Sequence, residues 1–368
     1  MLMSRVQKPN MKLAVATVVV AVQLQLSVAV SASQVSNQRA AGSEVARWVQ
    51  LLPEAAAEAV MTQRLLAGTA EGLTMLQAAL VAGGVDDAAL LRTHQARFDQ
   101  WHRQLRQSKS VVGSPRDKAA AIFEFLHQEI LTGPYEREAT DVSLAFGDGR
   151  YNCVSSLMLY MALADRFELD VRAVEIPGHV FCRLYFEKNT LDIETTCATW
   201  FQSDCQRNDH DLPVSARGDR TVSAREIRPM QLLAIVYYNR AVELLAGDEF
   251  RAAVSANLTA LRLDPGNQVV RSNLMASINN WALALSRSGQ HAAASDLLAR
   301  GLIGAPHYPY FRKNDVHVQQ RWIAELWNQG RYDRAVAVLK SAYQRRPGAI
   351  YLERAQAERL WRAAAGKR

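Results

Sequence analysis

Side chains with the chemistry of an activated thiol follow one another in the middle of the chain. Cys153 comes first, His179 follows, and the carboxylates Asp192 and Glu194 come shortly after. A free thiol is mostly protonated near neutral pH, so a nucleophilic cysteine needs a base beside it, and the base needs a group that orients it. The order cysteine, histidine, carboxylate therefore predicts nucleophilic attack on a carbonyl carbon.

The local patterns around these side chains predict a helix followed by three strands. Apolar residues recur every three or four positions after Cys153, which places this residue in the first turn of a helix. Unpaired N–H groups and the positive end of the helix dipole gather there, favouring a thiolate and offering donors to an oxyanion. Strands are predicted over residues 171–176, 179–186 and 190–194. Strand alternation puts His179 on one side and Cys182 on the other, as a small core residue.

Two carboxylates compete for the role of orienting the histidine. Asp192 and Glu194 are two residues apart, and a strand places both on the same side, within reach of His179. Asp192 is preferred because its shorter side chain suits closely spaced strands. Glu194 is the alternative acid.

This arrangement resembles the transglutaminase-like superfamily, a papain-like group of peptidases and acyl-transfer enzymes with a Cys-His-Asp triad. The resemblance covers about residues 118–201 and includes a helix before the site, a Gly-x-Gly-x-x-x-Cys approach and a Gly-His that opens a strand. It implies Cys153 as the nucleophile, His179 as the base and Asp192 as the acid. It also implies an α+β fold in which helices pack on an antiparallel sheet.

The first 33 residues are predicted to be a targeting signal. Basic residues precede an apolar run from Leu13 to Val30, and the small residues Ser31-Ala32-Ser33 suit cleavage by signal peptidase. The alternative is an uncleaved anchor in the inner membrane, because the run is about long enough to span a bilayer. The expected location is the bacterial periplasm or the cell exterior.

Export affects how the four cysteines are interpreted. Thiols tend to pair in an oxidising compartment, and Cys197 and Cys205 lie eight residues apart in a loop-like stretch, which favours a disulfide between them. Cys153 and Cys182 then stay free, one reactive and one buried. The spacings of zinc ligands and of phosphate-binding glycine loops are missing from the sequence, so neither a metal nor a cofactor is predicted.

The 368 residues, 49% of them hydrophobic, suffice for at least two cores. Residues 43–107 are rich in Ala, Leu and Gln and predict a helical cap on the catalytic domain, with a break at Gly83-Gly84 and with a substrate-binding arm as the alternative. The catalytic domain is assigned to residues 114–222 and a helical region to residues 230–368.

This helical region contains an internal repeat. Pro265, Pro306 and Pro347 are each 41 residues apart, and residues of the same class recur at fixed distances before them. They are Ala253, Ala294 and Ala335; Phe250, His291 and Tyr332; and Leu244, Leu285 and Leu326. Stacked helix pairs need a small residue where the helices cross and an aromatic residue where the second helix begins. The region resembles an all-α array of tetratricopeptide-type (TPR) repeats.

Two features of the array bear on binding. Asn239 and Asn280 share one repeat offset and resemble positions on the first helix of such repeats, so they are candidate binding residues; the alternative is that each only bonds neighbouring backbone. From Gly266 to Arg368 there are 16 Lys and Arg against 6 Asp and Glu, a net charge of +10, while the whole chain carries +7. A basic array suits an acidic protein, an anionic envelope polymer or a membrane surface, whereas export argues against nucleic acid.

The sequence therefore predicts an exported cysteine-dependent amide hydrolase or acyl-transfer enzyme, with a peptidase preferred, whose basic repeats recruit a protein or peptide substrate. Water releases the acyl group in a peptidase, and an amine does so in a transglutaminase. The competing prediction is a catalytically inactive scaffold of the same two parts, which mediates protein–protein interaction in the cell envelope.

Overall fold

The computed structural model describes residues 34–55, 74–108, 111–202, 224–345, 351–352 and 354–366. Most of them are helical, and a small antiparallel sheet places the chain in the α+β class. The helices of the first half are α1 (Gln34–Leu51), α2 (Met75–Gly83), α3 (Ala88–Gln107), α4 (Pro115–Phe125), α5 (Ser143–Gly147) and α6 (Cys153–Asp165). The strands are β1 (Asp170–Ile176), β2 (His179–Phe186), β3 (Asn189–Ile193) and β4 (Arg225–Ile227). The helices of the second half are α7 (Pro229–Ala246), α8 (Phe250–Leu263), α9 (Gln268–Arg287), α10 (His291–Gly304), α11 (Pro309–Asn328), α12 (Tyr332–Arg345) and α13 (Arg354–Ala365).

The four strands form one antiparallel sheet in the order β3-β2-β1-β4. Ala173, Cys182 and Ile193 lie opposite one another on its three adjacent strands, and all are at most 1% exposed. Helix α6 packs against β1 and β2. Cys182 is therefore a core residue, as predicted.

The second half of the chain consists of helix pairs with the predicted period. Helices α8, α10 and α12 begin at Phe250, His291 and Tyr332, the three positions of the aromatic offset. The alanines at the crossing offset, Ala253, Ala294 and Ala335, are fully buried. An alanine side chain at these crossings lets two helix backbones approach closely, and successive pairs stack along the array. Pro347, the last proline of the repeat, lies outside the described residues.

The region predicted to form one helical cap is divided between the two halves of the molecule. Helix α1 packs on α8 and α10, and its Glu44 pairs with Arg271 of α9 at 2.8 Å. Just beyond α1, Glu54 pairs with Arg300 of α10 at 2.9 Å. Trp48 of α1 is 1% exposed and lies directly against Gly304. Helix α2 packs on α6 and α7, and α3 packs on α5. Helix α1 therefore lies on the helical array, whereas α2 and α3 contact α5, α6 and α7.

The sheet and the array are joined without a separating linker in the described chain. Strand β4 pairs with β1, and Pro229 begins α7 two residues after the strand ends. The buried side chains of α7, among them Leu232 and Ile235, belong to the same core as those of α2 and α6. The two halves therefore share one hydrophobic core.

No described helix is apolar over a length that could cross a membrane. The predicted targeting segment, residues 1–33, lies outside the described residues.

Candidate active site

Cys153 is the first residue of α6, and a capping box fixes the start of this helix. The Asn152 side-chain oxygen accepts hydrogen bonds from the N–H groups of Val154 at 2.8 Å and Ser155 at 3.1 Å. In return, the Ser155 hydroxyl oxygen accepts a bond from the Asn152 N–H at 2.9 Å. Such a cap satisfies donors that would otherwise lack partners and ends the preceding loop at a defined residue. The partly exposed Cys153 side chain is thus held at a helix N-terminus, as predicted.

The cap is anchored to a loop that precedes it in the chain. The Asn152 amide nitrogen donates to the Thr140 hydroxyl at 2.7 Å and to the Arg137 carbonyl at 2.9 Å. The Ser155 hydroxyl donates to the Ala139 carbonyl at 2.7 Å. Asn152, Ser155 and Thr140 are each at most 2% exposed, so water does not compete for these bonds. No sequence motif singles out Thr140 or Ser155 as part of the site.

Glycine is required where the chain approaches the cysteine. Gly149 has a φ of +74°, and a Cβ at this position would come within 2.6 Å of the Gly133 nitrogen. Because Gly149 and Gly133 approach so closely, residues 133–135 run beside residues 149–151, and a backbone bridge joins Tyr135 to Tyr151. Half of the Tyr135 surface is exposed, and its ring packs edge-on against Tyr151. Tyr135 therefore forms one wall beside the cysteine.

His179 is the first residue of β2, and its mostly buried ring contacts both Cys153 and Glu194. Its Nε2 atom lies 2.6 Å from a Glu194 carboxylate oxygen. A carboxylate only accepts hydrogen bonds, so Nε2–H donates and Nδ1 is left for the thiol. Burial by itself lowers the pKa of His179, but the hydrogen bonds with Cys153 and Glu194 outweigh it and raise the pKa to about 10. The protonated ring is therefore favoured at this position.

The acid beside His179 is Glu194 and not Asp192, so the preference for Asp192 is corrected. Asp192 lies directly opposite Arg183 on the neighbouring strand, and its two oxygens accept bonds from Arg183 at 2.6 and 2.9 Å. Glu194 comes just after β3 and is 3% exposed. Its second oxygen accepts bonds from the Thr196 N–H at 3.0 Å and the Thr196 hydroxyl at 2.6 Å. The alternative acid of the sequence analysis therefore occupies the orienting position.

The chain beside Glu194 is also fixed from two sides. The Thr195 hydroxyl is 2.8 Å from the Ser156 hydroxyl of α6, and the Thr195 carbonyl accepts a bond from His127 Nε2 at 3.1 Å. Burial lowers the pKa of His127, so this ring is neutral near pH 7 and donates through one nitrogen. His127 lies in Leu126–Ile130, a turn of π-helix that continues α4. No motif in the sequence marks these residues.

The first helix of the array reaches the site. Burial raises the pKa of the Tyr238 hydroxyl on α7, and the nearby negative groups Glu175, Cys153 and Asp264 add to the effect. The next residue, Asn239, donates from its amide nitrogen to the Thr140 hydroxyl at 3.1 Å. This candidate binding residue is therefore engaged by the loop that anchors the Asn152 cap.

The other predicted residues lie away from this cluster. Asn280 is partly exposed on α9. Cys153 and Cys182 are free, and Cys197 is disulfide-bonded; Cys205, its predicted partner, lies outside the described residues. Among the residues that the structure describes, no three His, Cys, Asp or Glu side chains come together in a way that would hold a metal ion.

The arrangement has the parts of an activated thiol. A cysteine at a helix N-terminus is in contact with a histidine whose other nitrogen is held by a buried carboxylate. Such a set stabilises a thiolate–imidazolium pair, in which the sulfur is a nucleophile and the ring a proton donor. Comparison with protein-family models, curated proteins and solved structures finds no match to this chain.

Proposed function

We propose that this protein is a cysteine-dependent amide hydrolase or acyl-transfer enzyme of the transglutaminase-like type. The observation that carries the proposal is the position of His179, which contacts the thiol of Cys153 on one side and the carboxylate of Glu194 on the other. The placement of Cys153 on a helix that packs on an antiparallel sheet supports the transglutaminase-like fold. The helix pairs with a period of 41 residues support TPR-like repeats.

In the proposed mechanism the sulfur of Cys153 forms a bond to the amide carbonyl carbon, and the electron pair of the C=O bond moves onto oxygen. The His179 imidazolium then gives its proton to the leaving nitrogen while the C–N bond breaks, which leaves a thioester and a neutral ring. His179 next takes a proton from water as the water oxygen adds to the thioester carbon. The C–S bond breaks and restores the thiolate and the imidazolium. An amine in place of water gives acyl transfer.

The developing oxyanion needs a donor near the sulfur. The N–H groups of Val154 and Ser155 already donate to Asn152, so the N–H of Cys153 itself is the donor that the cap leaves available at this helix start. Partial burial, with the negative charge of Cys153 and Glu194, raises the pKa of Tyr135 to about 12. Its hydroxyl therefore stays protonated at neutral pH and offers a second donor from the wall of the site.

A thiol-reactive probe tests the proposal. Cys153 should react with iodoacetamide near pH 7 faster than free cysteine does, because the proposed pairing with the His179 imidazolium favours the thiolate. His179→Ala should reduce the rate to that of an ordinary thiol, and Cys153→Ser gives the background from Cys182, which is fully buried. Labelling of the wild-type protein no faster than free cysteine would contradict the proposed activity and favour an inactive scaffold. Release of acid or amide from thioester substrates, with and without an added amine, then distinguishes hydrolysis from transfer.

We further propose that the array recruits an anionic protein, peptide or envelope polymer. Part of its positive charge is neutralised by α1 and the residues just after it, since Arg271 and Arg300 pair with Glu44 and Glu54. Exposed basic residues remain on the helices beyond the site, among them Lys313, Arg321, Arg334 and Arg359. Exposed charges are screened beyond ~8–10 Å at physiological ionic strength. Binding of polyglutamate should therefore weaken steeply with added salt, and retention at 1 M NaCl would contradict this mode of recruitment.

The proposed location is the bacterial periplasm or cell exterior. The support is the composition of residues 1–33, a basic stretch followed by an apolar run and small residues. Mass spectrometry of protein isolated from the cell envelope should find a chain that begins near Gln34. An intact N-terminus in the membrane fraction would replace secretion with anchoring.

A further inference from the structure

We propose that Asn239, a residue of the helical array, is a positioning residue for the catalytic cysteine, acting through Thr140 on the Asn152 cap. This inference rests on the proposed function, since it assigns a role in setting the geometry of Cys153. It also makes the array part of the catalytic apparatus, in addition to any role in recruitment.

Two hydrogen bonds connect the array to the start of α6. The Asn239 amide nitrogen donates to the Thr140 hydroxyl oxygen at 3.1 Å, and the Asn152 amide nitrogen donates to the same oxygen at 2.7 Å. The other end of the Asn152 amide accepts the N–H groups of Val154 and Ser155, the two residues that follow the cysteine. The Thr140 oxygen therefore holds the side chain that sets the first turn of the helix.

This connection is buried, so the loss of one of its hydrogen bonds should change the geometry of the cap. Thr140 and Asn152 are each 2% exposed, so water does not replace a lost partner. If the Asn239 amide is removed, the Thr140 hydroxyl loses one of its two hydrogen-bond donors, and the oxygen that accepts from the Asn152 amide is held less firmly. A hydrogen bond of this kind contributes ~1 kcal/mol to the stability of the arrangement it holds. This corresponds to about a fivefold change in the equilibrium between the held and the loosened cap.

Helix α7 is itself held rigidly, so it is suited to carry a positioning group. Its Leu232 and Ala234 side chains are fully buried and belong to the core that also contains Leu157 of α6. Burial raises the pKa of the hydroxyl of Tyr238, the residue directly before Asn239, and Glu175, Cys153 and Asp264 add to the effect. The array thus contributes a support for the cap of the site.

The experiment compares the rate of Cys153 alkylation in variants of the full chain. Asn239→Ala should lower the rate about fivefold and shift the pH profile of alkylation to higher pH. The reason is that a less rigid helix N-terminus stabilises the Cys153 thiolate less. Asn314→Ala is the matched control: it removes an amide hydrogen bond of 2.7 Å to Asn279 that lies wholly inside the array. The control should lose comparable stability and keep the wild-type rate and pH profile.

A double-mutant cycle through Thr140 separates positioning from a general loss of structure. Thr140→Val removes both bonds with little change of shape, whereas Thr140→Ser retains the oxygen and should react like the wild type. In the Thr140→Val background, Asn239→Ala should have no further effect, because the two residues act through the same oxygen. Additive effects, or a wild-type rate in Asn239→Ala, would overturn the inference.

Amide hydrogen exchange tests the same connection without relying on reactivity. Exchange at Val154 and Ser155 should be faster in Asn239→Ala than in the wild type and in Asn314→Ala. If Cys153 of the wild type proves unreactive, the proposed function fails, and exchange at these two amides still decides whether Asn239 controls the cap. Unchanged exchange at both amides would overturn the inference in either case.

Discussion

Arg183 and Asp192 lie opposite each other on β2 and β3, and their side chains form a two-point ion pair with distances of 2.6 and 2.9 Å. A guanidinium and a carboxylate that meet in this way hold each other in one orientation. Asp192 is therefore directed along the sheet toward Arg183. Glu194, two residues later, is left as the carboxylate that reaches His179.

This pairing predicts opposite results for substitutions of the two acids. Glu194→Gln should lower turnover and Cys153 alkylation by about two to four orders of magnitude, because the neutral amide neither stabilises the imidazolium nor fixes its tautomer. Asp192→Asn should stay within a few fold of the wild type, because the Asp192 side chain pairs with Arg183 instead of His179 and is 45% exposed. Rates of both variants are measured at one pH with folding verified by circular dichroism. A larger loss in Asp192→Asn would move the orienting role back to Asp192.

The raised pKa of His179 predicts an unusual titration. Its ring should titrate near pH 10 in the wild type, compared with an ordinary value of 6.5. Cys153→Ala and Glu194→Gln should each lower this pKa, because each removes a hydrogen bond to the charged ring while the burial that opposes the charge remains. Nitrogen-15 NMR of labelled histidine measures all three proteins, and Asp192→Asn is the control that should titrate like the wild type. A wild-type pKa near or below 6.5 would contradict the ion pair.

The same shift predicts how stability depends on pH. A histidine whose pKa is higher in the folded state binds its proton more tightly there, so its contribution is complete below about pH 6.5 and is lost as pH rises through about 10. Over this pH window the urea midpoint of the wild type should fall by more than that of Glu194→Gln. In the variant the pKa of His179 differs less between the folded and unfolded states. Equal slopes in the two proteins would mean that the coupling between His179 and Glu194 is weak.

The local parts of the site are predictable from sequence because short-range patterns determine them. The helix that begins at Cys153 and the strand that begins at His179 both follow from apolar spacing and turn residues. The identity of the acid was also within reach. The two-residue turn after Phe186 fixes the register of β2 and β3, and this register places Arg183 opposite Asp192. A competing ion pair, which the sequence analysis did not consider, decides between the two carboxylates.

The contacts between distant segments are not predictable in the same way. Asn239 and Thr140 are 99 residues apart, and no local pattern relates an asparagine on a repeat helix to a loop before the cysteine. The position of α1 is a similar case: its composition indicates a helix, but its placement on α8 and α10 depends on how Trp48 fits against Gly304. Such contacts are set by the shapes of surfaces that exist only once the fold has formed.

The contact between Trp48 and Gly304 predicts that a single methyl group will loosen α1. A Cβ at Gly304 would overlap the Trp48 ring, which is 1% exposed. Overpacking of this kind costs ~1–3 kcal/mol, so Gly304→Ala should lower the free energy of unfolding by about that amount. Gly147→Ala is the matched control, because Gly147 is also the last residue of a helix and a Cβ there would meet nothing within 4 Å. Urea denaturation followed by tryptophan fluorescence measures both variants, and equal stabilities would show that Trp48 moves aside at little cost.

The last prediction concerns how far the two halves depend on each other. A chain that ends at Arg228 lacks α7, whose Leu232 and Ile235 are buried in the core shared with α2 and α6. It should fail to unfold cooperatively, because residues of the shared core become exposed. It should also lose rapid Cys153 alkylation, because the hydrogen bond from Asn239 to Thr140 is missing. A chain that ends at Gln329 is the control: it lacks α12 and α13, whose buried residues form a separate cluster with the end of α11. The control should retain a cooperative transition and near wild-type alkylation. If the chain ending at Arg228 folds and reacts like the wild type, the catalytic half is an independent domain and the array serves only to bind partners.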